Sequence, residues 1–226
     1  MIVDENTKIY VGDTKIGVIY QGDDLLRDGY IPLEYIETNG YSYIDTNFVI
    51  TKGMQFELDM MFSVINEQSL LGAVDFSSGI RRSHLACYNW YEGPWQLGIG
   101  AYNDYPADFY PQPNIKYNLK GSTIPNEVYL DINDTRYVNA TTSYIFRTPL
   151  NCWVGAVNGL VLFDQIPKIL QGRIYKCKIY DENKILIRDY RPYYSTKEQK
   201  AGLYDILHNV FYTSATAVDF ISGPYL

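Results

Sequence analysis

The chain has 226 residues, 46% of them apolar and 15% aromatic, with 23 tyrosines and a net charge of −7 at pH 7. That length and apolar content suit one large globular domain with a substantial core. The excess of 26 Asp and Glu over 19 Lys and Arg excludes a nucleic-acid binder built on a basic face. No apolar run approaches the roughly 18 residues of a transmembrane helix.

The first residues, MIVDENTK, have neither the basic nor the apolar stretch of a secretory signal, so synthesis in the cytoplasm is expected. Residues 1–29 form a piece of their own. Ile9 to Ile16 (IYVGDTKI) nearly repeats as Ile19 to Leu26 (IYQGDDLL), with a period of ten residues. Each unit predicts a short strand closed by a Gly-Asp turn. So few strands bury no core of their own, and Ile9, Tyr10, Ile16, Ile19, Tyr20 and Leu25 are the candidate docking residues. Attachment to a partner and an extra edge hairpin on the following domain are both open readings.

The domain proper is expected over 30–226. Leu33–Glu37 alternates apolar and polar, the period of a half-buried strand. Thr38-Asn39-Gly40 follows, and Asn-Gly predicts a tight hairpin turn. Tyr41–Asp45 alternates again. Met54, Phe56, Leu58 and Met60 then share one face, with Gln55, Glu57 and Asp59 on the other, as in a sheet packed on one side only.

Leu70–Val74 (LLGAV) reads as an inner strand, echoed by Cys152–Val157 (CWVGAV). Further strands are expected at His84–Trp90, Trp95–Tyr102, Tyr117–Gly121, Glu127–Ile132, Thr135–Asn139 and Tyr144–Arg147. Asn133-Asp134 marks a second hairpin turn. Asn103–Pro113, rich in Pro, Asp and aromatic residues, reads as a loop exposing Tyr102, Tyr105, Phe109 and Tyr110. In Gly172–Tyr180, Lys176 and Lys178 alternate with Tyr175, Cys177 and Ile179. Ala201–Asn209 is either a helical turn or a strand, and the tail from Asp219 ends at a sheet edge. Strands at about ten-residue intervals with no sustained helical period predict an all-β sandwich.

The opening, LEYIE-TNG-YSYIDT-N followed by a long alternating strand, resembles the concanavalin A-like (LamG-type) β-sandwich domains of many phage and gut-bacterial proteins. The closing segments GRIYKCKIY, LIRDYRP and AGLYDILHNVFYT are similar to that family's final strands. The resemblance covers about residues 30–226 and implies a two-sheet antiparallel jelly roll, here preceded by the short N-terminal β-hairpin segment. The N-terminal repeat resembles attachment pieces of phage structural proteins. It implies a homo-oligomeric, non-enzymatic virion component at the particle surface, a fibre, head fibre or capsid decoration, contacting other virion proteins.

Carbohydrate binding is the rival expectation. Tyr91, Trp95, Tyr105 and Tyr110 would stack on sugar faces. Catalysis is not expected. Retaining glycosidases need two carboxylates about 5 Å apart, and the nearest match, Glu57-Leu58-Asp59, lacks the third acidic residue of that strand signature and reads as a solvent face. His84 and Cys87 fall on opposite faces of one strand. Asp104, Asp108, Asp131, Asn133 and Asp134 offer oxygens suited to calcium, but their spacing matches no defined loop and they are ordinary turn residues, so no cofactor is expected. Cys87, Cys152 and Cys177, odd in number and without a CxxC pair, read as buried small hydrophobes.

Overall fold

The computed structural model describes backbone and side chains over 29–50, 52–66, 68–75, 107–141, 150–159 and 169–226. It describes the backbone alone over 10–11, 14–15, 18–21, 24–27, 81–87, 95–100 and 103–106. Among these residues there is no helix. The strands are β1 (Tyr10–Val11), β2 (Thr14–Lys15), β3 (Val18–Gln21), β4 (Asp24–Arg27), β5 (Tyr30–Pro32), β6 (Ile36–Asn39), β7 (Ile44–Val49), β8 (Gln55–Phe62), β9 (Gln68–Asp75), β10 (Arg81–Cys87) and β11 (Trp95–Gly100). They continue as β12 (Asn103–Pro106), β13 (Lys116–Ile124), β14 (Glu127–Ile132), β15 (Thr135–Ala140), β16 (Asn151–Val154), β17 (Gln171–Tyr180), β18 (Leu186–Ser195), β19 (Lys200–Asp205), β20 (Val210–Tyr212) and β21 (Ile221–Ser222).

Two antiparallel sheets make a jelly-roll-like sandwich. The smaller runs β12-β11-β10-β9-β16-β7; the larger runs β15-β14-β13-β8-β17-β18-β5-β4-β3, with β19, β20, β6 and β21 branching from it. The described pair β1–β2 stands as a separate two-stranded sheet, while β4 leads into β5 through Arg27 and Tyr30. Tyr10, Ile19, Tyr20 and Leu25 therefore lie on described strands; Ile9 and Ile16 lie outside the described residues.

β8 behaves as its alternation predicts. Met54, Phe56, Leu58 and Met60 are buried, and Gln55, Glu57 and Asp59 are half-buried on the opposite face. β9 is buried along its whole length. It pairs with β16 through Gly72↔Trp153 and Leu71↔Val154, so the two echoing segments are neighbours in one sheet. Asn133 and Asp134 take positive φ (49° and 62°) in the β14–β15 hairpin, as the mirror-image turn requires. Cys152 and Cys177 are buried in the core.

Three expectations are corrected, and one open alternative is decided. Gly40 does adopt a positive φ (88°), but no hairpin forms. β6 pairs with β17 and β21 in the large sheet, whereas β7 pairs with β16 in the small one. The turn, tied by Thr38 Oγ1 donating to Ser42 O at 2.9 Å, carries the chain between sheets. Tyr175 does not join Cys177 and Ile179 on the dry face. The β17–β8 register shifts between Ile174 and Lys176, and this bulge leaves Tyr175 half-buried beside Lys176. The expected loop from Asn103 begins as a strand, with β12 pairing along β11. Within it Phe109 packs against the core, edge-on to Tyr117 at 5.5 Å. Ala201–Asn209 resolves as strand β19 to Asp205 and then a turn, followed by β20.

Candidate functional site

The sandwich has two outer faces, and they differ in chemistry. On the large sheet, direct cross-strand partners form a row through Arg136, Asp131, Lys120, Glu57, Lys178 and Asp189. The charges alternate in sign across six strands, and opposite charges directly across strands attract. The carboxylates find partners around them. Asp131 pairs with Arg136, Asp189 with Arg191 at 2.8 Å and Lys178 at 3.8 Å, and Lys176 lies 3.7 Å from both Glu57 and Asp59. Tyr180 Oη donates to Glu57 Oε1 at 2.9 Å, and Asn118 Nδ2 to Asp59 Oδ1 at 2.5 Å. Glu57 and Asp59 are thus held as part of a charge-compensated surface.

The small sheet is different at its β7–β16 end. Ser42, Ile44 and Thr46 are buried, so the alternation turns Tyr41, Tyr43 and Asp45 outward. On β16, Cys152 and Val154 face the core, leaving Trp153 on the outer side. Trp153 is the register partner of Asp45, and partners directly opposite share a face. Tyr43 stacks on Trp153, with ring centroids 4.2 Å apart and planes inclined by 27°. Tyr41, two residues earlier, is 62% exposed. The 214–218 turn lies along this strand: Ala215 N donates to Tyr43 O at 2.8 Å, and Thr216 Oγ1 to Tyr41 O at 2.8 Å.

The polar groups of this corner are under-used. Asp45 Oδ1 accepts the Asn47 backbone N–H at 3.0 Å, and among the described residues Asp45 has no ion pair. Among the described residues the buried Trp153 Nε1–H has no acceptor. Burial, and then the Asp45 charge, raises the Tyr43 phenol above its ordinary pKa, so it stays a neutral donor and acceptor. Aromatic rings with a polar rim of this type suit a ligand that has an apolar face and hydroxyl edges.

The aromatic residues expected from sequence are distributed otherwise. Tyr91 lies outside the described residues. Trp95 is the register partner of Cys87 on β10, and Tyr105 that of Leu97 on β11. Tyr110 is 56% exposed and follows Phe109, which packs on Tyr117 of the large sheet. Of the calcium candidates, Asp131 is held by Arg136, Asp134 by Lys120 at 2.7 Å, and Asn133 Oδ1 accepts the Asn118 N–H at 3.0 Å. No group of three His, Cys, Asp or Glu gathers to hold a metal among the described residues. Sequence reasoning missed Tyr43 and Trp153. The alternation at Tyr41–Asp45 carried part of that signal, whereas Trp153 was hidden in a run that reads as inner strand.

No family model matches the chain, and no curated protein matches it. Among solved structures, it is similar to a candidate carbohydrate-binding protein from Bacteroides ovatus, with a TM-score of 0.60 and 9% identity. The match covers 87% of this chain and 62% of that one, so the chain spans under two thirds of its relative's length. It is also similar to a Trypanosoma rangeli sialidase mutant displaying trans-sialidase activity, with a TM-score of 0.43 and 12% identity over 57% of this chain and 20% of that one. The class that the fold defines is the two-sheet antiparallel β-sandwich. Neither similarity concerns a virion protein.

Proposed function

We propose that the chain is a non-enzymatic carbohydrate-binding β-sandwich whose sugar site is the Tyr43–Trp153 corner of the small sheet. The observation that carries this reading is the outward stacked pair beside a carboxylate that has no ion pair among the described residues. Sugars present C–H faces to aromatic rings and hydroxyls to carboxylates, so the corner offers both kinds of contact. The sandwich of Bacteroides ovatus, itself a candidate carbohydrate binder, supports it. The partner is a glycan displayed on a surface, and binding needs no cofactor. The virion setting expected from the N-terminal repeat draws no support from the similar structures.

The test is glycan-array and calorimetric binding by the wild type and by Tyr43→Ala and Trp153→Ala, each checked for folding by near-ultraviolet circular dichroism. Binding that is lost in both folded variants, and retained in Tyr110→Ala, is expected. Binding retained in both corner variants would overturn the site.

A further inference from the structure

We infer that the Tyr43–Trp153 corner takes neutral glycans, gripping a hydroxyl pair with Asp45, and rejects carboxylated or sulfated ones. The inference rests on the carbohydrate-binding reading and specifies the substrate class of the same site.

The charges around the corner decide this. Asp45 stands in register with Trp153 and, among the described residues, its side chain has one hydrogen bond, from the Asn47 N–H to Oδ1. An ionised carboxylate has about four acceptor sites, so acceptor capacity remains for incoming hydroxyl groups. Among the described residues no cation pairs with Asp45. Arg188 lies 3.5 Å from fully buried Asp205. Its charge is matched there, and its guanidinium lies over the Phe48 ring at 5.3 Å. The corner therefore offers an uncompensated negative charge beside an aromatic pair.

A neutral sugar gains a charge-assisted hydrogen bond from such a carboxylate. An anionic sugar brings a like charge to within a few ångströms of it, which disfavours binding. Anion recognition calls for the opposite equipment, an uncommitted Arg or Lys.

The experiment compares neutral gluco- and galacto-oligosaccharides with their C6-carboxylated uronate counterparts by isothermal titration, using wild type, Asp45→Asn and Tyr43→Ala. Asn keeps the acceptor for the Asn47 N–H, so the fold is preserved. The wild type is expected to prefer the neutral series. Asp45→Asn is expected to narrow that preference by about tenfold, the value of one charge-assisted bond. Wild-type binding to uronates as tight as to neutral sugars, or an unchanged preference in Asp45→Asn, would overturn the inference while leaving carbohydrate binding intact. Binding of neither series, with the array also blank, would remove the carbohydrate reading itself and this inference with it.

Discussion

His208 donates from Nδ1 to Oδ2 of the fully buried Asp205 at 2.7 Å. An ionised carboxylate only accepts hydrogen bonds, so the imidazole proton is placed on Nδ1. The same carboxylate accepts the Leu207 N–H at 3.1 Å and the Asp189 N–H at 3.4 Å. One side chain thus ties the turn after β19 to β18. Asp205→Ala leaves Arg188 without its counter-charge and two backbone N–H groups without their acceptor, and should destabilise by about 3–5 kcal/mol. His208→Ala removes this partially exposed bond and the longer 3.4 Å contact of its Nε2 with Arg188 Nη1, and should cost about 1 kcal/mol. Urea midpoints check both. Equal effects would show that the carboxylate does not organise the turn.

Alkaline conditions should loosen the sandwich. Burial first, and then the hydrogen bond to Glu57, push the Tyr180 phenol up to about 12, against about 10 in an unfolded chain. The folded state therefore holds this proton more tightly. The stability it contributes is complete below about pH 10 and is lost as pH rises towards 12. Denaturation midpoints from pH 8 to 12 should fall over that window, with a shallower fall in Tyr180→Phe. A midpoint that rises there would contradict the assignment.

Thiol reactivity should be suppressed in the native protein. Burial pushes the Cys152 thiol up to about 12 and raises that of Cys177. The thiolate is the reactive form, so iodoacetamide at pH 8 should leave both peptides unlabelled until denaturant is added. Peptide-level mass spectrometry reads the result.

The indole N–H of Trp153, without an acceptor among the described residues, makes a further measurement informative. Leaving a buried donor unmatched costs about 1–3 kcal/mol. Trp153→Phe removes that donor and keeps a ring against Tyr43, so stability should change by less than about 1 kcal/mol. Trp153→Ala loses the ring as well and should cost about 2 kcal/mol or more. Thermal unfolding distinguishes the two; a Phe variant as weak as the Ala variant would mean that the N–H has an acceptor after all.

Glu57 serves as the contrast. Its partners are Tyr180 and Lys176, on the face away from the proposed site. Glu57→Gln should cost about 1 kcal/mol or less and leave glycan affinity unchanged in calorimetry. A loss of affinity would move the site to the large sheet.

Much of the fold was legible because its signals are local. The period-two pattern of Met54–Met60 needs no knowledge of partners, and Asn133-Asp134 carries its own backbone preference. Features decided by tertiary pairing were not legible. Asn39-Gly40 specifies a reversal but not which sheet receives the next strand, so the crossing between β6 and β7 looked like a hairpin. The β17 bulge shifts Tyr175 to the wet face through its alignment with β8, which alternation alone does not reveal. β12 was masked by the Pro and Asp content of its segment. Trp153 had to be seen beside Asp45 before its ring read as anything other than core.

The pairing of β8 with β17 also bears on how the molecule is made. Glu57 and Tyr180 lie 123 positions apart in the chain, and Ser42 reaches Val218 across 176. The central strands of the large sheet must wait for most of the chain before they can zip together, and closing such long loops precedes any reward from contact. Folding should accordingly be slow, on the order of milliseconds to seconds. On the ribosome, β8 and its first neighbour β13 emerge long before β17, leaving one strand edge waiting, with Glu57 and Asp59 keeping one side of it soluble in the interval.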